Sequence, residues 1–223
     1  VEGTPSVEQW LKDRLEPEDI VAMDEDLFSY ADYVRMMDSL APLSPALIED
    51  PFDKIWKDRP ALQFNPVRSV DVSVCGESVS SKHARLVEKL RGPVPFAYIV
   101  TALDEVAWLC NIRGTDIEYN PLPLSYAVVT EECITLFLRQ EMLSHGAMSS
   151  LLGEGVVLKD YEDFERYLKN LPRTCVRIFS SGRITAKYYF AAMDNIHQHS
   201  PFSPQMPDPV PGGALSVMKA VKN

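Results

Sequence analysis

Short apolar runs alternate with amphipathic segments along most of this chain, and that alternation restricts it to folds in which strands and helices are interleaved. Residues 96–100 form a continuous apolar run, which is typical of a buried strand. Four apolar residues follow at helical spacing: Leu103, Val106, Ala107 and Cys110. Further strands are indicated at residues 20–23, 47–48, 125–130, 133–138, 156–158 and 175–179. The pattern predicts an α/β fold with a mixed β-sheet flanked by helices.

Polar residues stand at several places where helices are expected to begin. Ser29, with Asp32 three residues further on, indicates one helix start, and Ser78 indicates a second. Thr101 and Asp104 form a variant of the capping box, which predicts a third helix directly after the apolar run.

Two local backbone features are predicted between residues 70 and 114. Val70, Val72 and Val74 alternate with other residues, as in a half-buried strand. Gly114 follows the third helix closely and is expected to end that segment with a positive φ angle.

The spacing of strands and prolines predicts how the chain divides into domains. Residues 1–60 contain only two short strand candidates, which cannot make a stable sheet alone, so we expect them to be the end of a larger first domain. Prolines at 60 and 66 mark a linker, and five more lie within residues 201–213. We therefore predict a first segment over residues 1–60, a second domain over residues 61–213, and the start of another domain at residues 214–223.

Charge, hydropathy and cysteine usage exclude several classes of protein. The chain has 32 acidic and 22 basic residues, a net charge of −10, and no basic cluster, which argues against nucleic-acid binding. No apolar run approaches the 18–20 residues of a membrane span. The four cysteines include no Cys-x-x-Cys pair, so free thiols in a reducing, cytoplasmic compartment are expected.

The sequence offers no set of catalytic or metal-binding residues. Glycine-rich nucleotide loops, His-Glu-x-x-His and Gly-x-Ser-x-Gly are missing from it. His197 and His199 form its one histidine pair, but zinc requires three or four ligands. A cluster of carboxylates over residues 160–165 lies at a predicted helix start, where the helix dipole already favours negative charge. We therefore expect neither a catalytic residue nor a metal site in this chain.

A polar loop after the third helix is the strongest candidate for a functional site. It places five polar or charged residues within eight positions: Arg113, Asp116, Glu118, Tyr119 and Asn120. Loops held on a rigid scaffold often carry function. The alternative is a solvated turn closed by an ion pair between Arg113 and Asp116, and the residues alone leave both interpretations open.

The same region resembles the second domain of the eukaryotic-type Xaa-Pro aminopeptidases, in the creatinase/prolidase superfamily. The matching motifs are Thr-Ala-Leu-Asp-Glu-Val-Ala-Trp-Leu from Thr101, Asn-Ile-Arg-Gly-Thr-Asp from Asn111, Asn120-Pro121, and Ser-Tyr-Ala from Ser125. Residues 53–60 resemble the segment that leaves the family's first domain, and residues 219–223 resemble the opening of its catalytic domain.

The resemblance implies a role without catalysis in this chain itself. Members of the family remove an N-terminal residue that precedes proline, using two divalent metals, usually manganese, held by a third domain. By resemblance, residues 1–60 end a first creatinase-like domain, residues 61–213 form the second with its proline-rich exit linker, and residues 214–223 begin the catalytic domain. The expected partners are the catalytic domain of the same polypeptide and a peptide with proline at its second position. The fragment itself is expected to be monomeric.

The resemblance also gives the polar loop a role, with alternatives. Arg113, Asp116, Tyr119 and Asn120 are expected to face the substrate cleft and help to shape it. A second interpretation is a creatinase-like module that binds other proteins and has no enzymatic activity. A third is an unrelated α/β domain that binds a small molecule in an apolar pocket.

Overall fold

A computed structural model describes residues 3–197, except for the side chains of Asn195 and His197. The chain divides into two compact units. Among the described residues, the first contains residues 3–60 together with Ser181–Phe190, and the second contains Ala61–Ser180 and residues 191–197. Helices and strands alternate in the second unit, so the prediction of a mixed sheet flanked by helices is confirmed.

The described residues form short strands and helices of one to three turns. The helices are α1 (Val7–Lys12), α2 (Tyr30–Ser39), α3 (Val72–Cys75), α4 (Val79–Leu90), α5 (Leu103–Leu109), α6 (His145–Gly153), α7 (Phe164–Lys169) and α8 (Ala186–His197). The strands are β1 (Ile20–Asp24), β2 (Ser44–Ile48), β3 (Arg68–Ser69), β4 (Phe96–Val100), β5 (Ile112–Arg113), β6 (Tyr126–Val129), β7 (Ile134–Phe137), β8 (Val157–Lys159) and β9 (Val176–Ile178).

The first unit is built around a pair of parallel strands. β1 pairs with β2 in parallel, with Ile20 opposite Ser44 and Asp24 opposite Ile48. A parallel pair needs a crossover connection, and α2 supplies it. The small core of this unit is formed by Met23, Met36, Leu40 and Leu43.

The second unit contains a five-stranded mixed sheet in the order β8-β7-β6-β4-β9. β4 pairs antiparallel with β6 and parallel with β9, and β7 pairs antiparallel with β6 and parallel with β8. All five residues of β4 are buried, as expected for a strand that lies between two others, β6 and β9, and is covered on both faces. The predicted hairpin over residues 125–138 is confirmed as β6 and β7.

The helix caps predicted at Ser29 and Ser78 are confirmed. The hydroxyl oxygen of Ser29 accepts a hydrogen bond from the Asp32 backbone N–H at 3.0 Å. The Ser78 hydroxyl oxygen likewise accepts from the Ser81 N–H at 3.1 Å. The capping box at Thr101 is wrong, because the N-cap of α5 is Ala102, whose methyl group cannot accept a hydrogen bond.

The strand predicted through Val70, Val72 and Val74 is wrong, since α3 occupies that position. The Asp71 carboxylate accepts hydrogen bonds from both the N–H and the hydroxyl of Ser73, at 2.8 and 2.6 Å. This side-chain capping offers the backbone a helical turn in place of a strand. Val74 is consequently 78% exposed, so the alternating valines do not report a buried face.

Candidate functional site

The candidate loop begins in a short ribbon that fixes its position on the second unit. β3 and β5 pair antiparallel, with Arg68 opposite Arg113 and Ser69 opposite Ile112. The loop over residues 113–120, called here the 113–120 loop, follows β5 directly. Its starting point is therefore held by backbone hydrogen bonds to a segment that precedes it by more than forty residues.

A buried lysine supports the turn that leads into the ribbon. Lys82, in α4, is only 1% exposed, and its ammonium group donates hydrogen bonds to the Trp108 carbonyl oxygen at 2.6 Å and to the Asn111 side-chain oxygen. The Asn111 amide donates to the Glu77 carbonyl at 2.8 Å. Burial lowers the pKa of the Lys82 ammonium, because desolvation disfavours its charged form.

Asn111 also adopts the backbone conformation that was expected of Gly114. Its φ angle is 51°, whereas Gly114 lies outside the positive-φ region, so that prediction is wrong. Asparagine tolerates this region because its short polar side chain can bond locally. Glycine is needed at 114 for a different reason: a Cβ atom there would lie 2.8 Å from the Pro123 Cβ atom.

Arg113 and Asp116 form the framework of the loop. Arg113 is half-buried and donates from one terminal nitrogen to the carbonyl oxygens of Ala107 and Ile112, at 3.0 and 2.7 Å. The Asp116 carboxylate accepts from the backbone N–H groups of Asn65 and Leu124, at 2.6 and 2.7 Å. The alternative of an Arg113–Asp116 ion pair is therefore not what closes this turn.

The tip of the loop presents the other two predicted residues to solvent. Tyr119 is 94% exposed and has a φ angle of 63°. The Asn120 backbone N–H donates to the Ile117 carbonyl at 3.2 Å, which closes the tip and leaves the Asn120 side chain exposed. The structure thus brings all four predicted residues onto one loop, with Arg113 and Asp116 at its base and Tyr119 and Asn120 at its tip.

Asn111 also lines a polar cleft, which has a volume of about 340 Å³. It is lined by Ser69, Val70, Asp71, Val72, Val79, Asn111, Ser150 and Glu154. The Glu154 carboxylate accepts a hydrogen bond from the Ser80 N–H at 2.9 Å, and bonding to Ser80 lowers the pKa of Glu154. Both carboxylates of the cleft are therefore engaged at helix starts, in α3 and α4.

The described part of the chain, residues 3–197, contains no group of three or more histidine, cysteine or acidic residues that could hold a metal ion. The side chains of the histidine pair, His197 and His199, lie outside the part of the chain that the structure describes. Over the same residues, no helix has both the length and the apolar character needed to cross a membrane.

The chain belongs to the family described as the creatinase/prolidase N-terminal domain, whose sequence model matches residues 58–223. This confirms the resemblance drawn from the motifs at residues 101–127. It also excludes the interpretation of an unrelated small-molecule-binding domain.

Curated relatives in several eukaryotes are named as aminopeptidases of the P type. A probable Xaa-Pro aminopeptidase P of Coprinopsis cinerea is 34% identical over 180 residues, which is 78% of this chain and 29% of the relative. The Laccaria bicolor protein of the same name is 37% identical over 78% of this chain and 28% of its own length. Aminopeptidase P1 of Arabidopsis thaliana is 35% identical over 71% of this chain and 25% of its own length. The chain therefore spans between a quarter and a third of these relatives.

A solved structure agrees with the sequence comparisons. The X-prolyl aminopeptidase of Caenorhabditis elegans, described as a cytosolic enzyme with a di-nuclear active site, superposes with a TM-score of 0.76 at 28% identity. The match covers 84% of this chain and 32% of that enzyme. The chain thus corresponds to the N-terminal region of an aminopeptidase of this kind.

Proposed function

We propose that this chain is the non-catalytic N-terminal region of a manganese-dependent Xaa-Pro aminopeptidase, which removes an N-terminal residue that precedes proline. The main support is that relatives up to 37% identical are named Xaa-Pro aminopeptidase P and are more than three times as long as the matched region. The described residues hold no metal-ligand set, so the two metals belong in this proposal to the catalytic domain of the same polypeptide.

The 113–120 loop faces the substrate cleft in this proposal. Arg113 and Asp116 hold the loop in shape through their bonds to backbone groups. Tyr119 and Asn120 then carry the contacts to the peptide, because a phenol and a carboxamide can both donate hydrogen bonds to peptide carbonyls. The positive φ of Tyr119 is supporting evidence, since strained backbone often occurs at binding sites.

The remaining parts of the proposal concern location and assembly. A cytoplasmic location is supported by the free cysteines among the described residues and by the cytosolic nematode enzyme. A monomeric fragment is proposed because relatives of this kind are expected to associate through their catalytic domains.

The test is to assay the whole polypeptide and this chain side by side with manganese. The whole polypeptide should cleave a peptide with proline at its second position, and should leave the matched peptide with alanine there intact. Residues 1–223 alone should give no turnover above a metal-only blank. A purified whole polypeptide that binds manganese but cleaves neither peptide would contradict the enzyme and favour the protein-interaction module.

A further inference from the structure

Two arginines stand directly opposite each other in the ribbon that begins the 113–120 loop. Arg68 of β3 is the register partner of Arg113 in β5. Residues directly opposite in an antiparallel pair project from the same face, with their Cβ atoms about 5 Å apart. Like charges in such a pair destabilise the ribbon unless an anion lies between them.

The described residues supply no such anion. Within residues 3–197, no carboxylate oxygen lies within 4.0 Å of a guanidinium nitrogen of Arg68 or Arg113. Asp116, the acidic residue closest in sequence to Arg113, has both of its oxygens engaged by backbone N–H groups, and Asp71, three residues after Arg68, accepts hydrogen bonds from Ser73. Several other arginines of this acidic chain do form ion pairs: Arg35, Arg59, Arg85, Arg139 and Arg166.

The two arginines differ in how firmly they are held. Arg113 uses one terminal nitrogen to bind two carbonyl oxygens, so its position is fixed while its other guanidinium nitrogens take no part in those bonds. Arg68 is exposed and can move to meet a ligand. A guanidinium presents parallel N–H groups that match the two oxygens of a carboxylate, and two guanidinium groups on one face can share one carboxylate.

We infer that Arg68 and Arg113 form a binding site for the C-terminal carboxylate of a short peptide. This inference rests on the proposed function, in which the peptide's amino end lies at the metals and its other end extends toward the 113–120 loop. Every unblocked peptide has this carboxylate whatever its sequence. The site would therefore favour short peptides with a free C-terminus over the same peptides with a C-terminal amide.

The experiment measures binding and cleavage separately on the whole polypeptide. The binding probe is a tripeptide analogue with proline second, in which the carbonyl before proline is reduced to a methylene and cannot be attacked. Its free acid and its amide are titrated calorimetrically into the parent protein, into Arg68→Gln, and into Arg173→Gln as the matched control. Arg173 is an exposed arginine of the same unit. Arg113 is left intact because it also holds the end of α5.

The parent should bind the acid roughly ten-fold more tightly than the amide, as expected for a charge-assisted hydrogen bond. Arg68→Gln should lose most of this preference while its affinity for the amide stays the same, and Arg173→Gln should retain the preference. Equal binding of acid and amide by the parent, no binding of either, or a preference that survives Arg68→Gln would each overturn the inference. Cleavage of an ordinary Xaa-Pro tripeptide, assayed in parallel, tests the proposed peptidase independently of these results.

Discussion

The ammonium group of Lys82 lies 2.6 Å from the carbonyl oxygen of Trp108 and 4.6 Å from the centroid of that residue's indole ring. The carbonyl belongs to the last turn of α5, where backbone oxygens lack partners within the helix. A cation at this end of a helix is favoured by the helix dipole and here also by the aromatic ring. The buried lysine therefore connects α4 to the segment from which the 113–120 loop emerges.

Replacing Lys82 should destabilise the second unit. Lys82→Met keeps most of the length of the side chain but removes the donor to the Asn111 side-chain oxygen, and leaves the Trp108 carbonyl with the Asn111 backbone N–H at 3.4 Å. We expect the free energy of unfolding, measured in urea, to fall by about 1–3 kcal/mol. Lys89→Met, at an exposed position of the same helix, is the control. Equal losses in both variants would show that the buried hydrogen bonds contribute nothing specific.

Gly114→Ala should also destabilise the protein. The new methyl group would lie 2.8 Å from the Pro123 Cβ atom and 3.0 Å from its Cα atom, so the backbone of the loop base must shift. Overpacking of this kind costs about 1–3 kcal/mol, which thermal unfolding will detect. Gly153→Ala is the matched control, because a Cβ atom there meets no heavy atom within 4 Å. If both glycines tolerate alanine, the close approach to Pro123 does not constrain the loop.

The carboxylate of Asp116 should be required for the shape of the loop. Asp116→Asn replaces one acceptor with an NH₂ group that faces the N–H of Asn65 or Leu124. We expect a stability loss of about 1–3 kcal/mol and faster amide hydrogen exchange over residues 113–124. Glu131→Gln, at the exposed turn of the hairpin, is the control. Unchanged exchange in Asp116→Asn would contradict a framework role.

Tyr119 offers the most direct test of the proposal that the 113–120 loop faces the substrate. Its side chain is 94% exposed and its φ angle is positive, so Tyr119→Gly removes a solvent-facing group and relieves backbone strain. In the whole polypeptide we expect unchanged or slightly higher stability together with a several-fold lower kcat/KM for Xaa-Pro peptides. Tyr119→Phe separates the hydroxyl group from the ring. Full activity in Tyr119→Gly would remove this residue from the proposed cleft.

The sequence reveals the local elements of this fold better than its long-range contacts. Periodicity locates β4, the β6–β7 hairpin and the caps at Ser29 and Ser78, because each depends on neighbouring residues. It misses α6, whose segment contains two glycines and only two buried side chains. The sequence also does not predict that Ser181–Phe190 belongs to the first unit, because this grouping joins segments that are far apart in the chain.

The candidate loop shows the same limit. Its polar residues are evident from composition, but their separate roles depend on contacts across fifty positions, such as that between Asn65 and Asp116. Lys82 could have been found from its spacing, because it lies three residues after Val79 and four before Leu86, on the buried side of α4. A lysine within an apolar stripe is a signal of a paired, buried amine.

The buried thiol of Cys110 predicts how stability depends on pH. Burial raises the pKa of Cys110 from 9.0 to about 12. Below pH 9 the thiol is protonated in both the folded and the unfolded chain. The contribution of the buried thiol to the free energy of unfolding is therefore fully present. Between pH 9 and 12 the unfolded chain releases this proton while the folded chain retains it, so stability falls as pH rises. The loss is roughly 1 kcal/mol for each pH unit in that interval.

Comparison with Cys110→Ala separates this effect from that of Lys82. The lowered pKa of Lys82 acts in the opposite direction, because the folded chain releases that proton at a lower pH than the unfolded chain, so stability rises as pH increases through the folded pKa and levels off once the unfolded lysine also titrates. Cys110→Ala retains Lys82 but lacks the thiol. Urea unfolding between pH 8 and 10.5 should therefore give a steeper fall in stability for the parent than for Cys110→Ala, whatever their difference at pH 8. Cys133→Ala controls for the loss of a thiol at a partly exposed position. If the free energy of unfolding depends on pH in the same way for the parent and for Cys110→Ala, then the Cys110 thiol has the same pKa in the folded and unfolded chains. Burial would then not raise that pKa.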